Sequence, residues 1–457
     1  MRRAIAVLTC VVAVSTVWGQ GVCPAGLASS KLICVIPQLY GPKGLTLPNP
    51  FHSAHFDSDF NASFTPLNSA VGTQLSLLPL ASPASGFTFM FDRNLGVFTR
   101  SAESFGPLLV DRAETIGKHR VFVGFTFQHF GFSSLDGVNL DQLPAVFTHI
   151  DCCNANGSTR GPGDPPSPGS PSFEQEFIQT TNRIDLKVNQ FTLFGTFGVT
   201  NRIDVSVALP ILDVALKTTS NATIVRKVPP GAFGFAHYFD PNCIGNIPCQ
   251  AASTQKSFFN SGSAAGIGDM VLRIKDNVWK GERFGLGLGV DTHWPTGDET
   301  NFLGAGAYGV KPFVVLSYRA RISPHVNVGY EWNGDSILAG DILTGSQAKL
   351  PNQFFYSGGA DYGVNRHLTV VADLLGKRIF NAVRARPGPY VDILGQTHND
   401  IPQTILVHES FEVSDLAVGM KFSPWRNLLV EANALVKLDD GGLRSRVVPL
   451  GGISYTF

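Results

Sequence analysis

Asp291 and His293 stand two residues apart, a carboxylate beside an imidazole, the pairing that general acid–base chemistry uses most often. They lie in a stretch where Phe284, Leu286, Leu288, Val290 and Trp294 alternate with Gly285, Gly287, Gly289, Asp291 and His293. Period two puts both groups on one face of a strand and the large apolar residues on the other. No nucleophile accompanies them: Gly-x-Ser-x-Gly, His-Glu-x-x-His and phosphate-binding glycine loops are all absent from the chain. The run Gly304-Ala305-Gly306-Ala307-Tyr308-Gly309 has the look of a dinucleotide fingerprint, but it lies between two strand-like segments and reads as a flexible loop. The remaining histidines are scattered. No catalytic residue, cofactor or metal ion is expected, and the chain reads as a non-enzyme.

The same alternation recurs along the chain. Val121, Val123, Phe125 and Phe127 oppose Arg120, Thr126 and Gln128; Ile203, Val205, Val207 and Leu209 oppose Asp204, Ser206 and Ala208. Val326, Val328, Tyr330 and Trp332 oppose Asn327, Gly329 and Glu331, and a similar run covers Leu428–Leu438. Each run is about ten residues long, the length of a tilted strand crossing a bilayer. Charged residues are only 15% of the chain against ~25% in ordinary soluble domains, while Gly (48) and Phe (34) are abundant. An outer face in contact with lipid removes the need for surface charge. A formal net charge of zero argues against nucleic-acid partners.

Tight turns near 199–202, 280–282, 321–324, 364–366 and 423–426 alternate with long loops near 132–176, 217–265, 295–307, 337–352 and 381–409. Short turns on one side and long loops on the other predict an all-β, transmembrane antiparallel up-and-down barrel over 119–457 in the bacterial outer membrane. It has about twelve strands, or fourteen if a hairpin at 87–99 joins the wall. Arg2 and Arg3, the apolar run Ala4–Val14 and the small residues up to Gly19 read as a signal peptide over 1–19. The last strand alternates Ile453, Tyr455 and Phe457 with Gly452, Ser454 and Thr456. The terminal Phe457 reads as an assembly signal for the barrel assembly machinery; outer-membrane lipids are the other expected partner.

Alternation assigns as lumen-lining Arg120, Lys187, Asp204, Asp269, Arg273, Asp291, His293, Glu331, Asp373, Lys377, Glu431 and Lys437. Acids and bases nearly balance, so strong ion selectivity is not expected. They form either a lattice of structural ion pairs or the lining of a polar conduit. Residues 20–118 are Pro/Gly/Ser-rich and read as an irregular segment. Part of it either plugs the lumen, with Phe87, Phe89, Phe91, Phe98 and Phe105 offering an apolar path, or packs on the wall or rim.

Six cysteines follow the signal peptide: Cys23, Cys34, Cys152, Cys153, Cys243 and Cys249. In an exported chain they read as disulfides rather than metal ligands. Cys243 with Cys249 is the local staple and Cys23 with Cys34 the next simplest pair. Cys152 and Cys153 either bridge each other or pair elsewhere.

Several segments in order resemble the MetA-pathway of phenol degradation family of outer-membrane transporters. They are Phe197–Val205 running to Leu209-Pro210, Gly266-Ile267-Gly268-Asp269, Trp294-Pro295-Thr296-Gly297-Asp298, Gly304–Gly309 and Val326–Tyr330. The resemblance implies a barrel akin to channels for fatty acids and aromatic hydrocarbons, moving small organic solutes. Two other readings stand beside it: a closed barrel whose loops bind partners, and an outer-membrane hydrolase.

Overall fold

The computed structural model describes residues 23, 30–79, 89–92, 97–100, 104–107, 109–154, 161, 164–231, 234–425 and 427–457. The signal peptide read at 1–19 and Phe87 lie outside them. Twelve antiparallel strands close a barrel. They are β1 (Val121–Leu135), β2 (Phe177–Gly198), β3 (Ile203–Val225), β4 (Met270–Lys280), β5 (Phe284–Trp294), β6 (Gly309–Tyr318), β7 (Ile322–Asn333), β8 (Gln353–Asn365), β9 (Leu368–Val391), β10 (Thr397–Trp425), β11 (Leu428–Lys437) and β12 (Val447–Thr456). Closure is made by β12 on β1, with Ile453 opposite Phe125, and by β1 on β2, with Phe125 opposite Leu193. The hairpin at Phe89–Asp92 and Val97–Arg100 is a separate two-stranded sheet, so the wall has twelve strands and not fourteen.

Outward positions near the short turns are apolar and exposed, as in Leu193, Ile274, Leu288, Val326 and Ile453. Aromatic residues mark two levels: Trp279, Phe284, Trp425 and Phe457 at the short-turn end, Trp294, Tyr308 and Trp332 at the other. From Phe284 to Trp294 a strand tilted by ~40° rises ~25 Å, the height of an outer-membrane apolar band with its girdles. This chain is an outer-membrane β-barrel. Its short turns are periplasmic.

Above the outer girdle the pattern inverts. β2 and β3 continue as a tall hairpin, extended by Leu143–Thr148 on one edge and Gln255–Ile267 on the other. β9 and β10 do the same, paired from Ala382↔Glu409 to Val391↔Thr397. Much of what was expected as loops at 217–265 and 381–409 is therefore paired strand. There the outward residues are polar (Asp185, Lys187, Asp213, Lys217) and the inward ones apolar (Ile184, Leu186, Val214, Leu216), because water has replaced lipid outside and protein fills the inside.

The N-terminal segment packs against these inward residues, in one buried cluster with Ile184, Leu186, Val214 and Leu216. A helix, α1 (Asp57–Leu75), stands where only irregular structure was expected. Asp57 and Asp59 favour the start of the helix dipole, and Phe60, Phe64, Leu67, Val71 and Leu75 recur at helical spacing and are buried. The Phe60 and Phe64 rings pack on Tyr40 and Phe147. At Gly72 the helix passes so close to Phe302 that a Cβ would lie 3.0 Å from its ring. No helix among the described residues is long and apolar enough to cross a membrane.

Candidate functional site

Between α1 above and residues 109–111 below, the lumen holds a chamber of about 250 Å³. Its walls differ. Phe130 and Phe132 on β1, Leu435 on β11 and Val448 on β12 make one side apolar. The facing side, from β4 to β10, carries Arg273, Asp291, His293, Lys311, Glu331, Lys377 and Asp415. Strand alternation alone places these groups inward, and glycine makes the room they need. A Cβ at Gly289 would sit 2.2 Å from the Phe313 ring, so the ring lies flat across that strand.

The charges are committed to one another. Arg273 grips both oxygens of Asp291 (2.6 and 2.7 Å) and also pairs with Asp111. Lys311 reaches Asp291 at 3.1 Å. Arg444 holds Asp415 in the same two-point manner (3.1 and 2.6 Å). Gln353 donates to Glu331 at 2.7 Å, and Lys377 donates to the Leu77 carbonyl at 2.8 Å. His293 Nε2 makes no hydrogen bond among the described residues; the Glu331 carboxylate lies 3.7 Å away. Because Asp291 is taken by Arg273 and Lys311, it does not orient His293, and the two do not form an acid–base dyad.

Residues 104–107 and 109–117 lie below the chamber, bound to inward side chains around the wall. Arg112 pairs with Asp361 (2.9 Å) and Arg319 with Glu114 (3.2 Å), all four groups almost fully buried. Lys275 donates to the carbonyls of Arg112 and Glu114, Lys421 to that of Pro107 (2.5 Å). The Ala113 and Ile116 amides donate to Ser317 and Asp204. Ala113 rests on Gly287, where a Cβ would be 3.2 Å from its Cα. Phe105 is buried beside Leu429, and its amide donates to Thr369. For Phe89, Phe91 and Phe98 only the backbone is described.

Of the ionisable residues assigned to the lumen, Arg273, Asp291, His293, Glu331 and Lys377 line the chamber. Asp204, Asp373 and Glu431 lie lower, on Ile116, His325 (2.8 Å) and Lys421 (3.4 Å) respectively. Arg120 stands at the periplasmic turn, its carbonyl accepting from Gly198. Lys437 pairs with Asp440 at 2.5 Å near the outer end. Two assignments need correction. Lys187 points outward, half exposed, because it sits in the tall hairpin above the lipid, where the apolar face turns in. Asp269 lies in the break between Gln255–Ile267 and β4, where its carboxylate clamps the turn that follows β5, accepting from the Gly297 amide (3.0 Å) and the Ala305 amide (2.6 Å). Thr296 donates to the Gly268 carbonyl and the Gly268 amide to that of Pro210. Leu209-Pro210, Gly266–Asp269, Trp294–Asp298 and the Gly304 run thus meet at one corner of the barrel, and the Gly304 run is pinned there.

Cys23 with Cys34 and Cys243 with Cys249 are disulfide-bonded. Cys152 and Cys153 are instead thiols, their sulfurs 2.7 Å apart.

A second cluster was missed entirely. His52, His55, His149 and His237 converge at the extracellular end. Burial, then the charge of His237, pushes His52 down to about 3; burial likewise brings His237 to about 3 and His149 to about 2, so the rings are neutral near pH 7. The spacing His52-Ser53-Ala54-His55 was the one local signal; the other two ligand-type residues are brought in only by folding.

Residues 160–378 match the model of the family described as "Putative MetA-pathway of phenol degradation". This is the resemblance read from the motifs, now carried by 219 consecutive residues. Among solved structures, the barrel is similar to an outer-membrane channel of Pseudomonas putida F1 (11% identity, 76% of this chain, 100% of that chain, TM-score 0.41). It is also similar to a FadL homologue of Pseudomonas aeruginosa (10%, 74% and 90%, TM-score 0.29) and to the toluene transporter TbuX of Ralstonia pickettii (11%, 74% and 89%, TM-score 0.23). No curated protein matches.

Proposed function

We propose that this barrel carries small, largely uncharged organic solutes, aromatic ones in particular, across the outer membrane, and that it is not an enzyme. The chamber carries the reading. A phenol-sized ring laid on Phe130, Phe132 and Leu435 removes ~150 Å² of apolar surface from water, worth roughly 3–4 kcal/mol. A hydroxyl on the opposite edge meets His293 Nε2 and Glu331, the polar groups on that wall with capacity to spare. Affinity of that order is millimolar, weak enough for release as well as capture. The paired charges offer dipoles without a net field, which disfavours a simple ion pore. The family's association with phenol degradation agrees with an aromatic solute.

In this reading residues 30–79 and 104–117 close the two ends and move aside during passage. Phe457, whose amide donates to the Val121 carbonyl across the closing seam, would be read by the barrel assembly machinery. The test is uptake of labelled phenol by cells with a lipopolysaccharide outer leaflet. Expression of the barrel should speed uptake, and His293→Phe should reduce the gain for phenol more than for toluene. Deleting 87–109 should raise single-channel conductance; unchanged conductance sinks the gating role of that segment. The buried ion pairs of Arg112 and Arg319 favour one competing reading, a sealed barrel that binds partners through its loops. A sealed barrel would give neither uptake nor swelling of reconstituted liposomes.

A further inference from the structure

The four histidines come from three distant parts of the chain: the turn ahead of α1, the segment after Leu143–Thr148, and the loop beyond β3. Their nitrogens face one another. His52 Nδ1 lies 3.1 Å from His55 Nδ1, His55 Nδ1 lies 2.9 Å from His149 Nε2, and His149 Nε2 lies 3.1 Å from His237 Nε2. One nitrogen from each ring falls within 4.8 Å of every other.

The outer nitrogens decide what the inner ones can be. His149 Nδ1 is 2.6 Å from the Ile150 carbonyl, which only accepts, so the proton is on Nδ1 and Nε2 presents a lone pair. His237 Nδ1 is 2.7 Å from a Glu176 carboxylate oxygen, and with Glu176 ionised its proton lies outward in the same way. Two lone pairs then point at each other across 3.1 Å. That contact repels unless a cation lies between them. Imidazoles whose far N–H groups are held by a carboxylate and a backbone carbonyl are the usual outer support of a metal-bound histidine. Phe56 and Phe173 pack edge-on against these rings, and His149 and His237 are buried.

We propose that His52, His55, His149 and His237 bind a divalent first-row transition metal, of the zinc class, that staples the N-terminal segment to two extracellular loops. Four imidazoles with no carboxylate among the inner ligands suit Zn²⁺, Cu²⁺ or Ni²⁺ and not Ca²⁺ or Mg²⁺. Such an ion fixes loops separated by 94 and 88 residues, so most of its effect is on the ordering of the extracellular end. This holds whether or not the barrel conducts.

The test uses the full-length barrel in detergent, stripped with a chelator and titrated with Zn²⁺, with Co²⁺ as the optical probe. About one equivalent of Zn²⁺ should bind per chain, and Co²⁺ should develop the intense visible bands of tetrahedral coordination. His149→Ala and His237→Ala should abolish binding, while Glu176→Ala, which removes only the outer support, should weaken it ~10–100-fold. Heat-modifiable electrophoretic mobility reports whether each variant still forms the barrel. The proposal is overturned if the assembled wild-type barrel takes up no Zn²⁺, or if binding survives both histidine variants. Binding lost in Cys152→Ser but kept in His52→Ala would also overturn it, since Cys152 lies 3.8 Å from His55 Nδ1 and joins Glu174 and the shared His149 in an overlapping ligand-type group.

Discussion

Replacing Arg112 by Met tests whether residues 104–117 close the periplasmic end. The Arg112 guanidinium is 4% exposed, donates to Asp361 at 2.9 Å and to the Ser104 hydroxyl at 2.7 Å, and Asp361 is wholly buried on β8. Removing one member of a buried pair strands the other, at a cost of ~3–5 kcal/mol. His325, 3.6 Å from Asp361, takes up part of the loss, so the lower figure applies. If ~3 kcal/mol falls on the equilibrium for displacing the segment, the displaced population rises ~100-fold at ~1.4 kcal/mol per decade. Planar-bilayer recordings should then show open events far more often in Arg112→Met than in wild type. Arg112→Met with Asp361→Leu removes both charges and should return most of the closure. Equal opening in wild type and Arg112→Met, with the barrel assembled, would refute the gating role, and so would a double variant as open as the single one.

Around the chamber, Asp111, Asp291, Glu331 and Asp415 balance Arg273, Lys311, Lys377 and Arg444, so reversal potentials in a salt gradient should lie near zero for any current that passes. Asp291→Asn leaves Arg273 and Lys311 without their shared partner, and the potential should move in the direction of anion preference. At the corner clamped by Asp269, Gly304→Ala puts a Cβ 2.2 Å from its carboxylate; ~1–3 kcal/mol should be lost, read as a lower urea midpoint for the heat-modifiable form. Cys243→Ser with Cys249→Ser opens a six-residue closure and should cost roughly 2 kcal/mol, seen as faster proteolysis of the 226–254 loop while the barrel band persists.

The wall was legible residue by residue. Period-two alternation is a local property, so Phe284–Trp294 or Val326–Trp332 declares its two faces without knowledge of any neighbour, and the short turns order the strands. The same rule failed at Lys187 because alternation says that two faces differ, not which one meets lipid; that depends on height above the membrane, which only the assembled barrel defines. α1 was hidden because Phe60, Phe64 and Val71 are buried against residues distant in sequence, with Pro66 inside the helix obscuring the local signal. Asp291 and His293 were correctly found on one face, yet the groups around them, Arg273 and Lys311 on Asp291 and Glu331 at 3.7 Å from His293, come from adjoining and more distant strands. By itself the sequence determined a membrane wall of twelve or fourteen strands with a polar lumen; the separate sheet of the Phe89–Arg100 hairpin decided for twelve. Which charges neutralise which, what occupies the lumen, and the meeting of His52, His55, His149 and His237 were decided by tertiary structure, because each depends on groups separated along the chain and joined only by closure of the barrel.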